Sequence, residues 1–200
     1  MADQFKSSSK PSINADPFTA KKTGILGQGM ERRKRTKAAS EYKKSLQEKQ
    51  TLKRLYGLSE RQFKRYVKEA LEKMQRVENV SDELIKNLEK RLDNVVFRLG
   101  FSKSRSHARQ LVNHSYFLVN GKPVNIPSYQ VNKGDIIIIK ETKKKKIIFK
   151  DLPELLKPLK THVWLDLNKD KFEGKVIGNP SLAEVAPPVE ISLVFEFYSR

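Results

Sequence analysis

The sequence predicts an α+β chain: a helical domain, then a small domain of helices packed on a mainly antiparallel sheet, preceded by an extended N-terminal arm. Three observations predict it. Apolar residues recur at helical spacing through most of residues 40–113. Asn120-Gly121 then separates two short apolar runs in the manner of a tight hairpin turn. Residues 1–39 hold no sustained period and include SSSKPS and GILGQG, so they should stay extended and disordered until a partner orders them. A length of 200 residues suffices for one or two cores. The expected division is an arm over 1–39, helices over 40–90, the second domain over 91–150, and a C-terminal region over 151–200 packing on both.

A first helix is expected from about Ser40 to Tyr56, with Tyr42, Leu46, Leu52, Leu55 and Tyr56 as a sparse apolar face and Gly57 ending it. The second is better marked. Ser59 caps it, Gln62 completes a Ser-x-x-Gln box, and Phe63, Tyr66, Val67, Ala70, Leu71 and Met74 line one side, with Arg61, Lys64, Arg65 and Lys68 opposite. A third helix should run unbroken from a Ser81 cap to a stop at Gly100. Its stripe is Leu84, Ile85, Leu88, Leu92, Val95, Val96 and Leu99, and Asp82 and Glu83 suit its positive end. The fourth, about Lys103 to Asn113, turns Ala108, Leu111 and Val112 inward and carries Arg105 and Arg109 on a flank open to solvent or ligand.

Tyr116 to Val119 and Lys122 to Val124 should pair about Asn120-Gly121. A turn at Asn132 to Gly134 leads to a short buried strand, Asp135 to Lys140, and Lys143 to Lys146 reads as a solvated loop. Trp164 and Leu165 should be core. After Pro187-Pro188, residues Ile191, Leu193, Phe195 and Phe197 alternate with their neighbours as a final strand.

The charge is uneven. Against a total of +18, residues 31–68 and 91–150 each carry a net +10, and the other segments lie between −2 and +2. A solubilising surface would spread its charge, whereas two blocks argue for two contact faces on a polyanion. Arginine forks and lysines along helix flanks neutralise phosphates and release counterions. Folded RNA with junctions suits two irregular basic modules better than duplex DNA does, since no dimeric helix-turn-helix or basic-zipper pattern occurs. Zero cysteines exclude disulfides and thiolate metal sites. No apolar run approaches a membrane span, and the N-terminus lacks the apolar core of a secretory signal. A transit peptide fits residues 1–30 poorly, because they have no arginine and contain Pro11 and Pro17.

Other patterns carry less. His107 and His114 fall near one helical face beside serines, but no nucleophile elbow or orienting carboxylate accompanies them, so they are ordinary histidines or RNA contacts rather than bases. Gly24, Gly27 and Gly29 lack the preceding strand and following Gly-Lys-Ser/Thr of a phosphate loop. Asp166, Asn168 and Asp170 imitate a calcium loop, yet Lys171 and Ile177 stand where Gly and Glu are needed, which leaves a charged turn.

Arg91 to Asp135 closely resembles the RNA-binding domain named after small-subunit ribosomal protein S-four. The matching pieces are Arg91-Leu-Asp, Leu99-Gly100, Ser104-Arg105, Ala108-Arg-Gln-Leu, Val119-Asn-Gly and Gly134-Asp135. Glu48 to Ala70 is similar to the helical domain of the ribosomal members, as are Val112-Asn-His114 and the terminal Phe195-Glu-Phe-Tyr-Ser. Many members hold zinc through N-terminal cysteines, which this chain does not have. The resemblance implies a cytoplasmic or organellar ribosomal protein without catalytic activity, cofactor or metal. It would be a primary binder of small-subunit ribosomal RNA that nucleates assembly at a junction of the five-prime domain and influences decoding accuracy. Its partners would be that RNA, neighbouring small-subunit proteins and messenger RNA near the entry path, with no membrane and no homo-oligomer. An RNA-modifying enzyme or a non-ribosomal RNA-binding regulator using the same domain is the alternative.

Two basic jaws would then clamp converging RNA helices. In the first, the candidate contacts are Arg32, Arg33, Lys34, Arg35, Lys37, Lys44, Lys49, Lys53, Arg54, Arg61, Lys64 and Arg65. In the second they are Arg91, Lys103, Ser104, Arg105, His107, Arg109, Gln110, His114 and Lys122. Arg105 and Arg109 are expected to be removable without unfolding the domain.

Overall fold

The computed structural model describes residues 41–199; the expected arm, and with it Arg32, Arg33, Lys34, Arg35 and Lys37, lies outside them. Helix α1 (Glu41–Leu55) turns at Gly57 into α2 (Glu60–Glu72). The Ser59 capping box forms: Ser59 Oγ accepts from the Gln62 backbone N–H at 3.3 Å, and Gln62 Oε1 accepts from the Ser59 N–H at 3.3 Å. Next come α3 (Val80–Glu89), α4 (Leu92–Arg98) and α5 (Arg105–Asn113). The chain then enters β1 (Phe117–Val119), β2 (Lys122–Pro123) and β3 (Ile136–Ile139), followed by α6 (Glu141–Lys144), a 3-10 turn (Ile147–Phe149) and α7 (Leu152–Leu156). It ends with β4 (Leu165–Asn168), β5 (Glu173–Val176), α8 (Leu182–Val185) and α9 (Ile191–Ser199).

The five strands form one antiparallel sheet in the order β2-β1-β3-β5-β4. Asn120 (φ 50°) and Gly121 (φ 78°) make the hairpin turn, as two successive positive φ angles require. The Asn120 side chain also ties the turn to β3, accepting from the Ile136 N–H at 3.0 Å and donating to Asp135 at 2.8 Å. In β3 the four isoleucines alternate rather than bury together: Ile137 and Ile139 face the core, and Ile136 and Ile138 are half-buried.

Apolar side chains collect in two cores. One joins Leu52 of α1, Phe63, Tyr66 and Val67 of α2, and Leu84, Ile85 and Leu88 of α3 with Ile191 and Val194 of α9. The other packs α4 and α5 against the sheet through Leu92, Val96, Leu99, Ala108, Leu111 and Val112, with Phe117, Ile137 and Val176 opposite. Trp164 and Leu165 are in this second core, as their composition suggested.

Several expectations are corrected. The third helix is not continuous. Asn79 rather than Ser81 caps it, its side chain accepting from the Ser81 N–H at 2.9 Å, and Arg91 leaves helical geometry (φ −66°, ψ 136°) to bridge Gln130. Leu92 N–H donates to Tyr129 O at 2.8 Å and Val131 N–H to Lys90 O at 2.9 Å, so remote backbone groups replace helical ones at the break. The stripe is thereby divided between the two cores. The final strand is instead helix α9: Ile191, Val194, Phe195 and Tyr198 also recur at helical spacing, and a helix buries that edge against α1 and α2. Lys143 and Lys144 belong to α6 rather than a loop, while Asp166 and Asn168 lie in β4 ahead of the charged turn.

Two glycines fix how α4 meets its neighbours. Gly100 (φ 76°) ends the α4 segment in the left-handed region, and a Cβ there would strike the Leu156 and Leu159 side chains. Gly174 lets β5 lie directly on Leu99, whose Cδ1 and Cδ2 would both overlap an added methyl. Leu99 is wholly buried and has no room to yield. Gly174→Ala is therefore expected to cost about 1–3 kcal/mol, read as a lower urea midpoint at unchanged slope. An unaltered midpoint would mean that Leu99 repacks freely.

Candidate nucleic-acid interface

Several of the basic side chains that make the sequence look like a polyanion binder are committed to the protein itself. Asp93, at the first turn of α4, is 3% exposed and accepts from two arginines. Arg91 donates to it through Nε at 3.1 Å and Nη2 at 2.8 Å, and Arg109 through Nε at 3.0 Å and Nη2 at 2.9 Å. Each guanidinium has a second hold on the helical part. Arg91 Nη1 donates to the Tyr66 hydroxyl at 2.8 Å, and Arg109 donates to the Tyr56 carbonyl at 3.2 Å and to the Gly57 carbonyl. These contacts run between the two cores.

A second buried carboxylate, Glu89, completes the seam. It accepts from Tyr56 Oη at 2.7 Å, Asn94 Nδ2 at 2.7 Å, and Arg98 Nε and Nη2 at 2.9 and 2.7 Å. Burial alone would raise its pKa, but the Arg98 charge and these hydrogen bonds hold it below the ordinary carboxylate value. Tyr56 moves the other way, pushed up by burial and by the neighbouring Glu89 charge. Arg105 donates to Asn94 Oδ1 at 2.8 Å and lies over the Phe97 and Tyr56 rings at 4.5 and 5.1 Å. Burial and Arg98 keep His162 below the usual imidazole range, consistent with its Nε2 accepting from Arg98 Nη1 at 2.9 Å.

A third node docks the C-terminal helix. Glu60 accepts from Lys49 at 2.8 Å, Lys53 at 2.9 Å and the Tyr198 hydroxyl at 2.8 Å, and the Lys49 ammonium lies 4.2 Å over the Phe197 ring. Burial pushes the Glu60 carboxyl up, but the three donors outweigh it and hold the pKa at about 2.

These nodes revise the candidate contacts. Arg91, at 2% exposure, is closed to a ligand by its burial on Asp93 and the Tyr66 hydroxyl. Lys49 is buried and Lys53 half-buried, both on Glu60. Arg105 and Arg109 are half-buried and hydrogen-bonded within the seam rather than free on a solvent-facing flank, so removing both takes away protein contacts as well as charge. Lys44, Arg54, Arg61, Lys64 and Arg65 remain exposed on α1 and α2, with Arg65 3.4 Å from Glu69. Lys103, Gln110, His114 and Lys122 are exposed on the second module, with His107 half-buried between them. Ser104 caps α5, its Oγ accepting from the His107 N–H at 3.1 Å, which is a structural task.

Two further cations of the second basic block were not among the named contacts. Lys143 and Lys146 come from the run that reads as a solvated loop, yet their ammoniums sit 5.1 and 5.5 Å over the Tyr116 ring, beside His107 and His114. The lysine run was the available signal, and only the fold shows where it lies. Among the described residues no group of three His, Cys, Asp or Glu side chains could hold a metal ion, and no helix is long and apolar enough to cross a membrane.

Two cores joined by an ionic seam, with exposed cations beside each and the second built of a helix pair on a small antiparallel sheet, fit a nucleic-acid-binding protein. Residues 90–137 match the model of the S4 domain, and residues 5–89 that of the ribosomal protein S4/S9 N-terminal domain. The chain is 48% identical over 164 residues to small ribosomal subunit protein uS4 of Sulfurihydrogenibium sp., covering 82% of this chain and 79% of that protein. It is 47% identical to the Halothermothrix orenii protein of the same name (84% and 79% covered), and 44% to that of Thermotoga maritima (86% and 81%). The chain belongs to the uS4 family of small-subunit ribosomal proteins.

Two outcomes follow from the ionic nodes. Asp93→Asn leaves two arginines facing a neutral amide in a buried site and is expected to cost about 3–5 kcal/mol, measured by urea unfolding. A loss below about 1 kcal/mol would show that solvent reaches the seam. For Glu60 the folded pKa lies below the ordinary value of 4.5, so its contribution is complete above that pH and lost as pH falls from about 4.5 to about 2. Melting temperatures taken through that window should fall less steeply for Glu60→Gln than for the native chain, and equal slopes would contradict the assignment.

Proposed function

We infer that this chain is a structural constituent of the small ribosomal subunit that binds the subunit's RNA. The observation that carries the reading is the extent of the family match, which spans both modules and about four-fifths of the chain. The geometry supports it independently. After the seam has taken up Arg91, Arg98, Arg105 and Arg109, exposed cations remain on each module. A rigid seam keeps those two sets at a fixed spacing, so a folded RNA that matches both is bound with little ordering cost.

We propose that Lys44, Arg54, Arg61, Lys64 and Arg65 on the first module, and Lys103, His107, Gln110, His114 and Lys122 on the second, contact the RNA. In this reading the division at about residue 90 separates two jaws. The chain closes them on converging helices at a junction of the five-prime domain and thereby nucleates assembly. Single copies in the subunit, a place near the messenger entry path, contacts with neighbouring small-subunit proteins and an influence on decoding accuracy belong to the same proposal, in a cytoplasmic or an organellar ribosome alike. The relatives, all small-subunit ribosomal proteins by name, favour this reading over an RNA-modifying enzyme or a free regulator.

Arg61 and Lys64 are the clearest test, since both are exposed on α2 and meet no carboxylate among the described residues. Arg61→Gln with Lys64→Gln should leave the melting temperature unchanged and reduce the slope of log affinity against log salt by about 1.4–1.8 on a small-subunit rRNA transcript. The native chain should also stay with small subunits through a high-salt wash. A native chain that washes off, and whose RNA affinity barely responds to salt, is not a subunit protein.

A further inference from the structure

The segment between β3 and the 3-10 turn is tied down at both ends. Lys140 N–H donates to the Tyr116 carbonyl at 2.8 Å, and Phe149, 6% exposed, meets the Tyr116 ring edge-on at a centroid distance of 5.8 Å. Between these ties the chain presents Lys143 and Lys146 toward the outer face of α5. The result is a cleft of about 310 Å³ between that segment and the helix, bordered by His107, Gln110 and His114 on one side and the two lysines on the other.

Its chemistry is one-sided. No acidic residue lines it, and neither lysine meets a carboxylate among the described residues, because the nearby Glu141 is paired with Lys144 instead. Like charges brought together without a counter-charge repel, and an arrangement of this kind is at its most stable with an anion present. Tyr116, at 8% exposure, serves as the floor: its ring face attracts both ammoniums and aims them into the same space. The opposite wall offers groups of another kind. Gln110 both donates and accepts, and the two imidazoles can do either, which suits the edge of a nucleobase or a ribose hydroxyl.

A duplex would present its phosphates on a convex surface and could not enter. A single extruded nucleotide has the concave fit, with its phosphate between the ammoniums and its base toward α5. We propose that this cleft is a subsite for one unpaired ribonucleotide, with Lys143 and Lys146 holding the phosphate and Gln110, His107 and His114 reading the nucleoside. It rests on the RNA-binding reading above and adds a single-stranded contact to it.

The test uses the full chain and a small-subunit rRNA transcript. Lys143→Gln with Lys146→Gln should weaken binding on the order of 10-fold at low salt and lower the salt slope by about 0.7, the value for one single-strand phosphate contact. Gln110→Ala, on an exposed helix face, should weaken binding severalfold with the slope unaltered, and it keeps the test decisive should the lysine variant melt early. A photoreactive residue in place of Lys146 should crosslink to an unpaired nucleotide. If the native chain binds the transcript while both variants match it, or if the crosslink falls wholly within paired helices, the subsite is wrong and the ribosomal reading stands. If the native chain does not bind the transcript at all, that reading falls and the subsite with it.

Discussion

One buried carboxylate holds the architecture together. Asp93 neutralises Arg91 and Arg109, and each of those arginines reaches beyond it to the helical part, one to the Tyr66 hydroxyl and the other to the turn at Tyr56 and Gly57. Without this carboxylate the two guanidiniums would face each other uncompensated, Arg91 wholly buried and Arg109 half-buried, and neither would have reason to enter. Glu89 repeats the device with Arg98, Asn94 and Tyr56. Such a seam contributes little net stability beyond what a well-packed apolar seam of equal volume could, because desolvation offsets most of the attraction. What it adds is direction: hydrogen bonds from forked donors specify an angle between the parts, which apolar contacts do less strictly.

For the two proposed contact surfaces to act as one, their spacing has to be fixed, and the directional seam fixes it. RNA helices are stiff, and a protein whose modules swung freely would have to pay an ordering cost each time it closed on them. With the seam set, the exposed cations of α2 and those around α5 keep a constant separation. The same logic explains why α9 returns to α1 and α2. Its Tyr198 and Phe197 complete the Glu60 and Lys49 node, so the end of the chain braces the first module.

The composition therefore has two meanings that the linear order conceals. An arginine in a basic block is counted as ligand-facing by any reading of charge, yet Arg91, Arg105 and Arg109 face carboxylates, an amide and aromatic rings. Conversely, the lysine run at 143–146 looks like solvated filler, and two of its members converge on a cleft. Both misreadings have one cause. Charge along the chain reports how many cations there are, whereas apart from the local Arg91–Asp93 pair their partners lie far along it, 11 residues away for Arg105 with Asn94, 16 for Arg109 with Asp93 and 25 for Arg91 with Tyr66.

Local rules were enough to determine the first two helices, the Ser59 box, the helix expected at about Lys103 to Asn113, the Asn120-Gly121 hairpin and the α+β class, because caps, turns and apolar periods act within a few residues. The family resemblance was legible in the same way, from motifs along one stretch. Tertiary structure alone decided the rest. It broke the third helix at Arg91, where a bridge to Gln130 supplies backbone partners from another part of the chain. It made the last segment helical, since residues 191–199 satisfy both periods and only the waiting groove on α1 and α2 selects one. It also sorted the cations into those that hold the protein and those left for its ligand, because a salt bridge is a property of positions in space and not of neighbours in sequence.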